Sequence, residues 1–305
     1  MRSGPPRRSL ASRRNTPRPA GYHAVGKAGF KGFLLETLGR FNRALHELPP
    51  GPWLRERLER ERSFASVDLR LGRGGPGLHG LCIAYVSDLH VGGFMTEADL
   101  CRIFERLAEA KPDLVCLGGD LVDARPEESL LLGKALSLLR PSLGVYAVPG
   151  NHDYYADPAL RVWRHCLEEH GVTVLLNAGH RIERRGEGLW LAGVDDLTQG
   201  FPDLAAALDG AREEEPILLL AHHPDFFDEA ASVGVDLTFA GHTHAGQIVP
   251  LWRPYTRHTT LGYWRGRYEL GGAQLYVGGG VGTAGIPFRF RAPAEVPLIR
   301  ILTRD

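Results

Sequence analysis

Leu-Cys-Ile-Ala-Tyr-Val-Ser-Asp-Leu-His, residues 81–90, is a short apolar run that ends on a carboxylate and an imidazole. An uninterrupted run of this length suits a strand buried on both faces. The same arrangement recurs four more times. Residues 114–117 lead to Gly118-Gly119-Asp120-Leu121-Val122-Asp123, and residues 145–148 to Gly150-Asn151-His152-Asp153. Residues 217–221 lead to His222-His223-Pro224-Asp225, and residues 237–240 to Gly241-His242-Thr243-His244. Side chains at the carboxyl ends of such strands converge on one crevice. The chain is therefore read as α/β, with one site assembled from five strand ends.

The residue types decide the chemistry. Asp88 and His90, on one loop, can present an oxygen and a nitrogen to a single cation, and Asp120 adds a carboxylate able to bridge two. His242 and His244 stand two apart, so both face a site only across a bend, which Gly241 permits. Asn151 offers a neutral amide oxygen after the Pro149-Gly150 turn. Two divalent ions about 3.5–4 Å apart can clamp a phosphoryl group and activate water near neutral pH. Nitrogen and oxygen ligands without thiolate suit Mn, Fe or Zn.

The ordered set DLH, GDLVD, GNHD, H-x-P and GHTH resembles the calcineurin-like metallophosphoesterase superfamily, over residues 82–245. The resemblance implies a four-layer α/β/β/α sandwich of two mixed sheets flanked by helices. It implies that Asp88, His90, Asp120 and His244 hold one metal and Asp120, Asn151, His222 and His242 a second, with a metal-bridging hydroxide attacking phosphorus. It also makes His152 the acid at the leaving oxygen and Asp123 the carboxylate that holds His152. His223, next to the chosen ligand His222, is expected as a pocket wall or substrate contact. Asp195-Asp196 is expected to make structural hydrogen bonds near the site.

Further on, His244-Ala245-Gly246-Gln247-Ile248, then Gly280-Val281-Gly282-Thr283 and Pro287-Phe288-Arg289-Phe290, look like the bacterial YkuE/YaeI-type subgroup. That likeness implies a tail loop at the site rim, where Arg289 could clamp a phosphate bidentately. The subgroup is similar to enzymes that cleave the pyrophosphate of UDP-2,3-diacylglucosamine, so a phosphodiester or pyrophosphate, lipid-linked or not, is the expected substrate. A scaffold that lost catalysis would show gaps among these residues, and the sequence shows none.

Charge is uneven. Residues 1–62 hold fourteen Lys and Arg against five Asp and Glu, and the remaining twenty-two basic and thirty-one acidic residues cancel that +9. An acidic body argues against a nuclease of the same superfamily, which would need a basic face, and no nucleic-acid partner is expected. Residues 1–28 are expected as a basic disordered tail, 29–62 as a helical extension and 63–305 as the catalytic domain. Phe30, Phe33, Leu34, Leu38, Phe41 and Leu45 recur at helical spacing, so residues 29–47 are expected as an amphipathic helix that packs on the body or on a second subunit, or touches a membrane peripherally. No apolar region follows Arg7-Arg8 or Arg13-Arg14, so the chain is expected in the cytoplasm, with the inner membrane face as the place of any such contact. The four cysteines show no metal spacing and read as core thiols; His46 and His79 read as surface histidines. Helices are expected from Thr96 to about Ala110, over about 127–139, from Asp157-Pro158 to about His170, and over about 225–231.

Overall fold

The computed structural model describes residues 28–254 and 257–303; all but the last residue of the basic tail expected over residues 1–28 lies outside them. Two six-stranded mixed sheets carry the chain. The first has the order β1-β12-β2-β3-β4-β5, from β1 (Ser66–Arg70), β2 (Cys82–Val86), β3 (Leu114–Leu117), β4 (Val145–Ala147), β5 (Val172–Val174) and β12 (Leu298–Leu302). The second has the order β10-β11-β9-β8-β7-β6, from β6 (Ala178–Arg184), β7 (Glu187–Gly193), β8 (Ile217–Leu220), β9 (Leu237–Ala240), β10 (Gly266–Leu270) and β11 (Ala273–Val277). β2 through β5 run parallel, as do β7, β8, β9 and β11, so their carboxyl ends share one edge of each sheet.

Side-chain alternation explains why the strands read as unbroken apolar runs. Ile83, Tyr85, Leu114 and Cys116 enter the core between the sheets, where they meet Leu218, Leu220, Leu237 and Phe239. The intervening Ala84, Val86, Val115 and Leu117 point the other way, under α3 (Glu97–Glu109) and α6 (Arg161–Glu169), which contribute Phe104 and Trp163. Across the molecule, Ile217 and Leu219 pack beneath α7 (Leu204–Ala207) and α8 (Phe227–Ser232). In β3, β4, β8 and β9 every position is thus buried on one face or the other, and the four expected layers are present. All four cysteines are free.

Two expected helices differ in detail. Over 127–139 the chain forms a 3-10 turn (Pro126–Leu132) and then the single turn α4 (Gly133–Leu136). Glu128 draws the segment back by accepting the Asp123, Ala124 and Arg125 amides. The helix expected from Pro158 begins instead at Arg161, because Leu160 takes a left-handed φ of 51°. Asp157 still caps it, accepting from Val162 and Trp163 N–H.

At the amino-terminal side, α1 (Ala28–Glu47) and α2 (Gly51–Glu61) lie against the body. Among its described side chains, α1 docks through a polar stripe, with Leu38 and Leu45 half-buried beside it. Gly39, Asn42 and His46 are buried, whereas Phe41 is 59% exposed. Asn42 donates to Gly285 O and Arg43 to Gly92 O. His46 is therefore no surface residue: its Nε2 lies 3.6 Å from Asp99 Oδ2 and its ring meets Phe94 edge-on. His79 is exposed, as expected.

Candidate metal centre

The loops that leave β2, β3, β4, β8 and β9 bring every expected ligand to one edge of the sandwich. The backbone is bent to do so. Asp88, His90, Asp120, His242 and His244 all have φ between 48° and 69°, a region costly for residues with a Cβ and concentrated at functional sites. Close approach sharpens the bend. A Cβ on Gly150 would meet Asp120 Oδ1 at 2.3 Å, and one on Gly119, at φ 86°, would meet the Gly150 amide at 2.6 Å.

Two groups of ligand atoms result, each within 4.8 Å: Asp88, His90 and His244, and Asp120, His222 and His242. In the first, His90 Nε2 and His244 Nε2 face each other at 3.1 Å, and His244 Nε2 lies 3.5 Å from Asp88 Oδ1. In the second, His222 Nε2 lies 3.2 Å from Asp120 Oδ2 and 3.3 Å from His242 Nδ1. Asp120 Oδ2 is also 3.7 Å from His90 Nε2, so one oxygen stands between the groups. Asn151 opens α5 (Asn151–Ala156) with its Oδ1 buried and unpartnered, as is Asp88 Oδ2.

These atoms fit divalent cations. Two imidazole nitrogens pointed at each other, with carboxylate and amide oxygens orphaned beside them, are satisfied by a cation and by little else. The field agrees. Burial disfavours a charged His222, yet Asp120 and Asp88 outweigh it and raise its pKa to about 10. Burial disfavours ionised Asp120 too, but His222, His152 and His90 hold it well below the usual carboxylate range. Burial and neighbouring cations push His242 and His244 well down, leaving neutral rings with lone pairs to share. His222 Nδ1 donates to Gly118 O at 2.8 Å, which fixes the tautomer that turns Nε2 inward.

Around the ligands the placement is mixed. His152 lies beside the ligands, its backbone N–H on Asp120 Oδ1 and its Nδ1 2.8 Å from Asp123 O. The Asp123 carboxylate is nearer His90 (Oδ1–Nδ1 3.3 Å) than His152 (3.7 Å). Asp123 thus holds His152 mainly by its carbonyl and brackets both rings, the third group of close ligand atoms. His223 packs on the His242 ring at 4.4 Å as a wall, its pKa pushed down to about 4 by burial and by its histidine neighbours. Asp195 accepts from Tyr154 Oη and Phe201 N–H, and Asp196 from Thr198 and Gln199, the structural bonds expected of them.

Arg289 does not match the expected rim clamp. It is 2% exposed, and its guanidinium donates to Gly282 O, Gly279 O, Ala292 O and His244 O, with Nη2 3.1 Å from His244 Nδ1. A planar five-donor fork suits a cradle of carbonyls, so the cation braces His244 from behind instead of facing solvent.

Two carboxylates were missed. Asp153 accepts the Gly150, Asp120, Leu121 and Val122 amides, two on each oxygen. Burial, with Asp120 beside it, pushes its pKa up to about 7, while those donors favour the anion, since a protonated oxygen would forfeit an acceptor site. Glu128 gathers three amides behind Asp123 and also pairs with Arg43 of α1. Asp153 had a readable signal, an acid three residues beyond the turn glycine; Glu128 had none.

A family model described as calcineurin-like phosphoesterase matches residues 82–246. A zebrafish (Danio rerio) "transmembrane protein with metallophosphoesterase domain" is 34% identical over 75% of this chain and 55% of its own length. An "uncharacterized metallophosphoesterase" of Helicobacter pylori is 33% identical over 90% of this chain and 70% of its own. The Bacillus subtilis "uncharacterized metallophosphoesterase YkuE" is 30% identical over 74% of this chain and 80% of its own. The chain thus spans little more than half of the zebrafish protein.

Proposed function

Because the chain belongs to the calcineurin-like phosphoesterase family, in its YkuE-type subgroup, and is a metal-dependent phosphoric ester hydrolase, we propose that it cleaves a phosphodiester or pyrophosphate at a dinuclear centre. The observation that carries the reading is Asp120 Oδ2, 3.2 Å from a nitrogen of one ligand group and 3.7 Å from a nitrogen of the other. Asp88, His90, Asp120 and His244 would hold one ion; Asp120, Asn151, His222 and His242 would hold the second. Mn, Fe and Zn all suit this nitrogen–oxygen set. Bound divalent ions supply Lewis acidity toward phosphoryl oxygens and lower the pKa of water.

The protein's own groups do the rest. His152, fixed by its amide on Asp120 and its Nδ1 on Asp123 O, serves the leaving oxygen through the other side of its ring. Asp123 keeps His90 Nε2 turned toward the atoms that would hold the first ion, and Gly118 O does the same for His222 Nε2 at the second group. His223 walls the second ion's side. Arg289, the cation that could have met the extra charge of a monoester, is spent on protein carbonyls, which supports the diester reading.

A lipid-linked substrate such as UDP-2,3-diacylglucosamine fits the same proposal, with the chain in the cytoplasm and touching the inner membrane face through residues 29–47. Phe41, left outward when α1 docks by its polar stripe, supports that contact. Hydrolysis of bis-p-nitrophenyl phosphate, p-nitrophenyl phosphate and UDP-2,3-diacylglucosamine, side by side with added Mn, tests the reading. Turnover of the diester or the lipid nucleotide, lost on chelation, is expected. Turnover of the monoester alone would overturn the substrate class.

A further inference from the structure

Beside the metal centre the surface changes character. From residue 237 to 294 the sequence holds, besides the buried Arg289, five arginines and one acid, Glu269, although the body from residue 63 onward carries a net −9. One loop of this basic stretch meets α2 on the outside of the molecule, and a second meets the first. There Arg57 lies 5.7 Å from the Trp53 ring and 4.9 Å from Phe288, and Phe288 stacks on Phe290. Arg291 lies 5.5 Å from Phe290 and 5.4 Å from Trp252. Aromatic rings and guanidinium groups thus follow one another in a single ridge.

The ridge is bordered by side chains with no aqueous purpose. Leu251 is 77% exposed, Trp252 85% and Ile286 58%. Large apolar groups this far out of a protein surface mark an interaction site. The ridge also adjoins the catalytic edge, since Arg289, between Phe288 and Phe290, rests on His244.

We propose that this ridge is a docking surface for an anionic lipid bilayer, seating the metal centre beside the headgroup layer. Tryptophan and arginine are suited to the interface, where the ring lies among headgroups and the guanidinium meets lipid phosphate. Leu251 and Ile286 extend to the acyl boundary, and Arg291, with Arg57 that also pairs with Glu61, meets negative headgroups. A single-stranded nucleic acid would use the rings and the cations but would leave the aliphatic side chains in water. The proposal adds a second, independent contact to the one proposed for residues 29–47, and it does not depend on which phosphoester is cleaved.

The test is flotation of the full chain with vesicles of phosphatidylcholine alone and of phosphatidylcholine mixed with phosphatidylglycerol. The chain is expected to float with the mixed vesicles only. The triple variant Leu251→Ser, Trp252→Ser, Ile286→Ser keeps every charge, and its partitioning is expected to fall roughly tenfold or more, from the lost apolar burial. Its hydrolysis of bis-p-nitrophenyl phosphate should stay at the parent level, which shows that the variant folds. Phe41→Ser, read in parallel, reports the α1 contact separately. Partitioning unchanged in the triple variant overturns the ridge and leaves α1 and the basic tail as the membrane contact. Failure of the parent chain to float overturns both. Tight binding of a single-stranded oligonucleotide, lost in the triple variant, would reassign the ridge to nucleic acid.

Discussion

His152 follows Asn151 directly yet stands outside both metal groups, because α5 turns its ring edge-on to His90 and its Nδ1 toward Asp123 O. The His152→Ala variant is therefore expected to keep its metals while turnover falls ~10²–10⁴-fold, the usual loss with a general acid or base. Metal content by mass spectrometry, with single-turnover rates, checks both halves; turnover at the parent level would remove His152 from the reaction. Arg289 makes a different prediction. Arg289→Met leaves several buried carbonyls without donors, so unfolding midpoints in urea should fall by an equivalent of at least about 2 kcal/mol. Arg289→Lys keeps the charge but not the fork, and metal affinity at the first group should drop ~10–100-fold as His244 loses its brace. An affinity unchanged in a folded Arg289→Lys protein would show that His244 needs no such support. The ligands themselves were legible, since residue type and position after an apolar run are properties of sequence. The left-handed backbone beneath them was not, nor was the burial of Arg289, because both depend on loops that meet only in the fold.

α3 shows how an element's end is set by its own sequence. Thr96 accepts from the Asp99 amide while the Asp99 carboxylate accepts from the Thr96 amide and hydroxyl. Burial pushes the Asp99 pKa up, but the bonds from Thr96, with Arg102 and His46 nearby, outweigh it and hold the pKa below its ordinary value. A depressed folded pKa means that the contribution is present above the unfolded pKa, about 3.9, and is lost as pH falls through the folded one. Thermal unfolding of the parent and Asp99→Asn proteins should therefore differ near neutrality and converge in strong acid. A gap that stays constant across that range would remove the carboxylate from the account. This helix was readable because a capping box is local. The helix expected over 127–139 failed for the opposite reason: Glu128 serves amides of the preceding loop, a use that no periodicity records. α1 was legible as amphipathic, but which stripe docks was not, since Asn42 and Arg43 seek carbonyls far along the chain.

At the scale of the molecule, two sheets deliver ligands to a shared edge: β2, β3 and β4 from one, β8 and β9 from the other. The layering was legible because strands buried on both faces read as continuous apolar runs. The strand order was not, since β12 inserts between β1 and β2 from the far end of the chain. Gathering carboxylates at that edge loads it with negative charge, so ions that bind the folded form alone stabilise it. Stabilisation of about 2.7 kcal/mol is expected with free metal at a hundred times its dissociation constant, and a lower melting temperature after chelation. The most direct test of the account is the number of metal ions bound per chain in the parent and Asp120→Ala proteins, measured after reconstitution with Mn and alongside diester hydrolysis. Two ions in the parent, with loss of the pair and of hydrolysis in the variant, is the predicted result. Two ions retained by Asp120→Ala, or hydrolysis by a parent protein stripped of metal, would contradict the shared carboxylate on which the reading rests.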